Sequence, residues 1–342
     1  MSVSLTIGWL LTSLLISALL ARGSIGYAQK RGLIDQPGQR RSHRLPTPRG
    51  GGIGIVLASM FCLPGILYGL PAAWPAQLIV ALLASLLLVA LAGWWDDHHA
   101  LPVWPRLAAQ LVAITMFSLT LLARSESMWW LPLLLVGGVW SINLHNFMDG
   151  IDGLLAQQTI FVGLGLALLA WAASQPALAL AAASVAAAAL GFGYYNRPPA
   201  RIFMGDVGSG SVGLLIFAFS AMSWHRNPAL LCPVLILSSA FVVDASLTLL
   251  SRIWRGRRWH AAHREHLYQW LARRAGSHGW ADSAYLAWNL LVVAPLAWLA
   301  WSHPRLALAA IIGAYSAAAL AWLILKRRCL RRHPHKAPHV PA

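Results

Sequence analysis

Residues 77–97 read QLIVALLASLLLVALAGWWDD. The part near 77–94 carries no charge, and at about 1.5 Å of rise per residue it comes close to crossing a hydrocarbon core about 30 Å thick. Two adjacent carboxylates, Asp96 and Asp97, close it. Neighbouring carboxylates repel, so beside a membrane interface they need a cation or a shared proton. A solvated helix end with a tryptophan belt at Trp94 and Trp95 is the plainer alternative.

Runs of the same kind recur along the chain, near 5–21, 51–70, 77–94, 107–123, 128–145, 154–173, 177–195, 210–223, 229–250, 282–301 and 305–325. Breaks such as Ser174-Gln175-Pro176 and Ser302-His303-Pro304 are short, which predicts antiparallel neighbours. The expected fold is therefore all-α, a polytopic integral membrane protein of about 11 transmembrane helices. Residues 1–325 form one transmembrane domain and 326–342 a basic tail. The first run follows Met-Ser-Val-Ser without a basic segment, so it reads as a retained helix.

Composition agrees. Of 342 residues 58% are apolar and only 11% charged, which excludes a compact soluble domain. The net charge of +16 would suggest nucleic acid in a soluble protein, but here the positive-inside bias accounts for it and no nucleic-acid partner is expected. With the N-terminus outside, 23 of the 26 Lys and Arg fall on the side that becomes cytoplasmic, and Arg124, Arg226 and Arg305 on the other. The C-terminal tail is then cytoplasmic. Cys62, Cys232 and Cys329 are too scattered for a disulfide framework or a zinc site, so any metal must be held by oxygen or imidazole.

The same alternation gathers Asp96, Asp97, Asp149, Asp152 and Asp206 at cytoplasmic helix ends. Around 143–153, NLHNFMDGIDG sets polar side chains at Asn143, Asn146, Asp149 and Asp152, each a helical neighbour of the next. Oxygen ligands so spaced suit Mg²⁺ with phosphate; an Asx turn explains only Asp149-Gly150. At 201–211, RIFMGDVGSGS opens a helix whose amides could receive a phosphate, and Asp206 there either binds metal or caps the helix. Two basic loops, RRSHRLPTPRGGG at 40–52 and HAAHREHLYQ at 260–269, supply cations and imidazoles toward an anion. The commoner use of such cations is a headgroup patch.

Taken together these segments resemble the polyprenyl-phosphate N-acetylhexosamine-1-phosphate transferases, relatives of the phospho-N-acetylmuramoyl-pentapeptide transferase. The resemblance runs from PTPRGGG through Asp96-Asp97, 143–153 and FMGDVGS to HREHL at 263–267. It implies that Asp206 and Asn146 hold Mg²⁺ or Mn²⁺, and that Asp96 and Asp97 act at the reaction centre with His263 and His266. It further implies that Asn143, Asp149 and Asp152 organise the donor, and that Arg49 and Arg264 contact phosphates. Implied partners are UDP-N-acetylhexosamine, undecaprenyl phosphate and the lipid bilayer of the bacterial inner membrane, with a homodimer left open. The muramoyl-pentapeptide branch carries three successive histidines where this chain has His-Arg-Glu-His, which points to the hexosamine branch.

Two roles stay open for the aspartate pair: deprotonating the lipid phosphate, or forming a phospho-aspartate. A hydrolase of lipid diphosphates would use a similar site with water as acceptor. A transporter would place acids mid-span, where only Asp244 lies, and Arg252 on the same helix could pair with it.

Overall fold

A computed structural model describes residues 3–36, 45–71, 73–123, 128–257 and 263–331. Residues 40–44 and 260–262 of the two basic loops, Arg124, Glu126 and the tail from 332 lie outside the described residues.

The chain is helical almost throughout, in the order α1 Val3–Arg31, α2 Ile53–Gly69, α3 Ala76–His98, α4 Val103–Leu122, α5 Leu131–Phe147, α6 Leu154–Ala172 and α7 Pro176–Asn196. There follow α8 Asp206–Arg226, α9 Leu231–Leu237, α10 Ser239–Trp254, α11 Leu267–Ala275, α12 His278–Trp288, α13 Ala294–Ser302 and α14 Ala307–Arg331. A two-residue ribbon pairs β1 Ile34–Asp35 with β2 Thr47–Pro48.

Eight helical stretches among the described residues are long and apolar enough to cross a membrane, nine if α9 and its neighbour α10 form one span. The chain is thus a multi-pass, all-α membrane protein. The expected count of eleven is not reached on this measure, for local reasons. The run at 51–70 makes a helix of only 17 residues, with Pro64 inside it. The run at 128–145 opens with a separate turn at Met128–Trp130 before α5. The run at 229–250 is bent by 66° between α9 and α10.

Small residues let the helices approach closely. Alanine is the commonest residue of α7, which is the second most buried of the candidate spans among the described residues, after α8. Without a hydrophobic force between helices in lipid, van der Waals contact between small faces carries much of the association. Buried polar pairs lock particular crossings: Asn289 Nδ2 donates to Gln158 Oε1 at 2.6 Å, and Ser13 Oγ donates to the Ser184 carbonyl at 2.7 Å. α8 lies at the centre, against α3 on one side and α5 on the other.

Candidate active site

The beginning of α8 is built by two loops joined through their backbones. Gly51 N donates to Phe203 O and Gly52 N to Met204 O, both at 2.9 Å, while Phe203 N donates to Pro48 O at 2.8 Å. The PTPRGGG and RIFMGDVG segments, far apart in sequence, are therefore one structural unit. Gly205 enters α8 at φ 74° and, having no side chain, offers no cap.

The cap comes from another helix. Asp97 at the end of α3 accepts from Asp206 N with Oδ1 and from Val207 N with Oδ2, both at 3.1 Å. It is only 3% exposed, and Arg49 reaches it from the PTPRGGG loop, donating Nη2 to its backbone carbonyl and holding Nε 4.0 Å from Oδ1. A carboxylate on a helix N-terminus is favoured by the helix dipole and satisfies amides that would otherwise be orphaned. This corrects the expectation that the α8 amides receive a phosphate, because those of Asp206 and Val207 already bind Asp97. It also gives Asp97 a seating role and leaves Asp206, which is not the cap, pointing into the site.

Asp206 and Asp96 lie against one another, with Arg106 beside both. Arg106 Nη1 lies 2.7 Å from Asp96 Oδ2 and 3.6 Å from Asp206 Oδ2. Asp96 Oδ1 accepts from Leu101 N at 2.6 Å, and Asp206 Oδ1 accepts from Asn146 Nδ2 at 2.7 Å; the same amide nitrogen reaches Ser209 Oγ at 3.1 Å. Asn143, a helical turn before Asn146, donates to Gln110 Oε1 at 2.6 Å and to the Val139 carbonyl at 2.8 Å, so it ties α5 to α4. A cavity of about 20 Å³ opens between Arg106, Gln110, Asn146 and Asp206, room for one water or one small ion.

Two adjoining carboxylates with a guanidinium beside them form a donor set that suits a hard divalent ion, which takes one or two carboxylates and fills the rest with water and phosphate. Among the described residues no three His, Cys, Asp or Glu converge as a metal cluster, so Asp96 and Asp206 are the anionic ligands on offer. Asn146 presents its amide nitrogen to Asp206, and its oxygen would have to turn to join them.

Beyond Asn146 the chain turns through Asp149 and Asp152. Burial pushes the Asp149 carboxyl up to about 7, and the charges of Asp97 and Asp152 act in the same direction. Asp152 Oδ2 accepts from Ala200 N at 3.1 Å, and its Oδ1 lies 3.2 Å from His278 Nδ1. Asp152, Ala200, Arg273 and His278 line a cavity of about 500 Å³ at the protein surface.

The His-Arg-Glu-His segment leads into α11, whose first amides are anchored by Asp244 of α10. Asp244 accepts from Leu267 N at 2.8 Å, Tyr268 N at 3.3 Å, Tyr285 Oη at 2.7 Å and Trp322 Nε1 at 3.0 Å. Tyr268 Oη donates to Phe147 O at 3.0 Å, tying α11 to the end of α5. Asp244 therefore does not pair with Arg252, which binds Glu265 instead together with Arg257. The His263 and His266 rings lie 4.9 Å apart. Burial first, then the charges of His266 and Arg252, push His263 down to about 4, and burial lowers His266 although Asp244 opposes it. Both imidazoles are neutral at pH 7, able to donate or accept a hydrogen bond but adding no positive charge. Arg264, whose carbonyl accepts from Arg273 Nη2 at 2.9 Å, is the cation of this segment.

Residues 79–224 match the glycosyl transferase family 4 pattern, a stretch that holds all five of the clustered aspartates. The chain is 29% identical to a probable undecaprenyl-phosphate N-acetylglucosaminyl 1-phosphate transferase of Bacillus subtilis, covering 79% of this chain and 76% of that protein. It is 27% identical to a decaprenyl-phosphate N-acetylglucosaminephosphotransferase of Mycobacterium leprae over 92% of this chain and 89% of the other. It is also 29% identical to a phospho-N-acetylmuramoyl-pentapeptide-transferase of Lactiplantibacillus plantarum, over 60% and 68%. Over residues 79–224 the chain is thus similar to glycosyl transferase family 4.

Within this transferase, the sequence-expected residues divide into two groups. Asp96, Asp206 and Asn146 converge, with Arg49 and Asp97 directly behind them. His263, Arg264 and His266 stand on a separate element, linked to the cluster through Tyr268 and Phe147. Three polar partners were not read from the sequence: Arg106, Gln110 and His278. Arg106 had a readable signal, a lone cation entering an apolar run four residues after Pro102. Gln110 and His278 had none.

Proposed function

We propose that this transferase moves N-acetylhexosamine-1-phosphate from a UDP-sugar to undecaprenyl phosphate, releasing UMP, on the cytoplasmic face of the bacterial inner membrane, as the first step of O-antigen or another envelope glycan. The observation that carries the reading is the adjoining pair Asp96 and Asp206, with Arg106 beside both and Asp97 fixing the helix start beneath. That arrangement suits a diphosphate, since phosphoryl transfer rests mainly on positioning and on charge neutralisation.

In this reading an oxygen of the lipid phosphate attacks the β-phosphorus of the donor. The bond from that phosphorus to the bridging oxygen breaks, and UMP carries the electron pair away. Mg²⁺ or Mn²⁺, held by Asp96, Asp206 and a turned Asn146, would supply Lewis-acid neutralisation of the diphosphate. Arg106 holds the two carboxylates in register, and Arg49 braces Asp97 from the exposed side. Both oxygens of Asp97 are committed to amides. Those commitments support direct attack by the lipid over a phospho-aspartate formed on Asp97. Asp149, with its carboxyl near neutrality, is a base able to take the lipid phosphate's remaining proton.

Incubation of the purified chain with undecaprenyl phosphate and a panel of UDP-sugars labelled at the β-phosphate tests this. Label in the lipid and UMP in solution are expected, both dependent on a divalent ion. Release of UDP with unlabelled lipid would refute it. UMP release without the lipid would point to hydrolysis or to a covalent enzyme intermediate.

A further inference from the structure

The C-terminal ends of α10 and α14 enclose a groove of about 800 Å³ that none of the chemistry above uses. Its walls are apolar, with Leu250 and Trp254 turned outward, the latter 93% exposed, and its rim carries the exposed Arg255 and Arg327. At its base is Lys326. That side chain is 5% exposed, and its Nζ has no hydrogen-bond acceptor among the described residues. It sits 4.0 Å over the Trp322 ring. A cation–π contact stabilises an ammonium but leaves its three donors unmet, and a buried charge without acceptors is costly.

We propose that this groove binds the phosphate headgroup of an anionic bilayer phospholipid, with Lys326 as the principal contact and the apolar walls receiving its acyl chains. Basic pockets between membrane helices take such headgroups, and tryptophan at the interface faces the bilayer as Trp254 does. The occupant is a bilayer lipid and not the transfer acceptor because the groove is walled off from the carboxylate pair. From Lys326 inward the contacts run through Trp322 to Asp244, from Asp244 to Tyr268, and from Tyr268 to Phe147, the neighbour of Asn146. A phosphate seated on Lys326 is therefore three side chains away from the end of α5.

The test is retention of phosphatidylglycerol against phosphatidylcholine by the full chain, released from nanodiscs of the two lipids mixed and read by native mass spectrometry. The wild type is expected to retain phosphatidylglycerol preferentially. Lys326→Gln should lower that preference about fivefold, the worth of one cation near an anionic surface. Lys326→Met, which keeps the aliphatic stem over Trp322, should do the same and serves if the glutamine variant is not recovered. Equal retention by the wild type and either variant overturns the site. Displacement of the bound lipid by undecaprenyl phosphate also overturns it, by giving the groove to the acceptor. A lipid-free dimer of the wild type would overturn it too, with a second copy as the occupant.

Discussion

A methyl group at position 93 should disable the transferase without touching any reacting group. Gly93 lies one turn before Asp97 on α3, packed on the first residues of α8. A Cβ there would stand 2.5 Å from the Asp206 carbonyl carbon and 2.6 Å from Val207 N, where ordinary contact begins at 3.4 Å. Both obstacles are backbone, so α3 and the start of α8 must separate by about 1 Å. That separation stretches the 3.1 Å bonds from Asp206 N and Val207 N to Asp97 beyond hydrogen-bonding range. Overpacking of this kind costs about 1–3 kcal/mol of stability. A 1 Å misplacement of a catalytic group costs about 10²-fold in rate. Gly93→Ala is therefore expected to lower turnover of UDP-sugar and polyprenyl phosphate about a hundredfold, with a reduced unfolding temperature in detergent. Gly69→Ala, whose Cβ would meet nothing within 4 Å, is the control and should be neutral in both assays. If Gly93→Ala keeps more than about a tenth of the wild-type rate, a barrier change under about 1.4 kcal/mol, the seating of Asp206 by α3 is not what sets activity.

Asp206→Asn should abolish turnover at wild-type levels of membrane-inserted protein, since it removes charge and relieves the repulsion with Asp96; a stability loss as large as that of Gly93→Ala would show that Asp206 acts mainly in packing. Arg106→Gln should lose activity more than Asp35→Asn does, because it leaves Asp96 and Asp206 against one another without that cation, and parity between the two variants in the turnover assay would remove Arg106 from the site. Asp149, raised to about 7 in the folded protein, binds its proton more tightly folded than unfolded. Its contribution to stability is thus full below about pH 4 and lost as pH rises through about 7; unfolding measured in chelator should show that decline, and Asp149→Asn should flatten it. With the native cysteines replaced, single cysteines at Arg201 and Gly276 should react only with reagents that reach the cytoplasm and one at Asn227 from outside, and external labelling of position 201 would reverse the orientation.

Much of this site was legible because charge is rare in the chain. Counting cations on alternating sides was enough to send five aspartates to one end, and the structure does bring Asp96, Asp97 and Asp206 together there. What could not be read was which atoms they bind. Asp97 takes two backbone amides from a helix that begins 109 residues later, and a main-chain donor leaves no mark on composition or spacing. Asp244 could be matched from the sequence only to Arg252 for the same reason: its partners include the Leu267 and Tyr268 amides, and its side-chain donors include Tyr285 on α12 and Trp322 on α14. The bend between α9 and α10 was likewise hidden, since both halves are apolar and their sum has the length of one span.

Asp97 and Asp244 solve one problem twice. A helix that starts inside a membrane protein has amides that water cannot reach, and a carboxylate buried there has no solvent to stabilise it. Placing one on the other satisfies both, and it also fixes the position of what the helix carries. α8 begins with Asp206, and α11 follows directly on His263–His266. The cost is that these N-termini are no longer free to bind an anion, as helix ends do when they cradle phosphate. Among the described residues, the cations paired with Asp96, Asp97 and Asp206 are Arg49 and Arg106, with two neutral imidazoles on a separate element. On the proposed function the charge of the diphosphate is offset by an ion bound to the carboxylates themselves, and turnover is therefore expected to depend on a divalent cation more than on any single histidine.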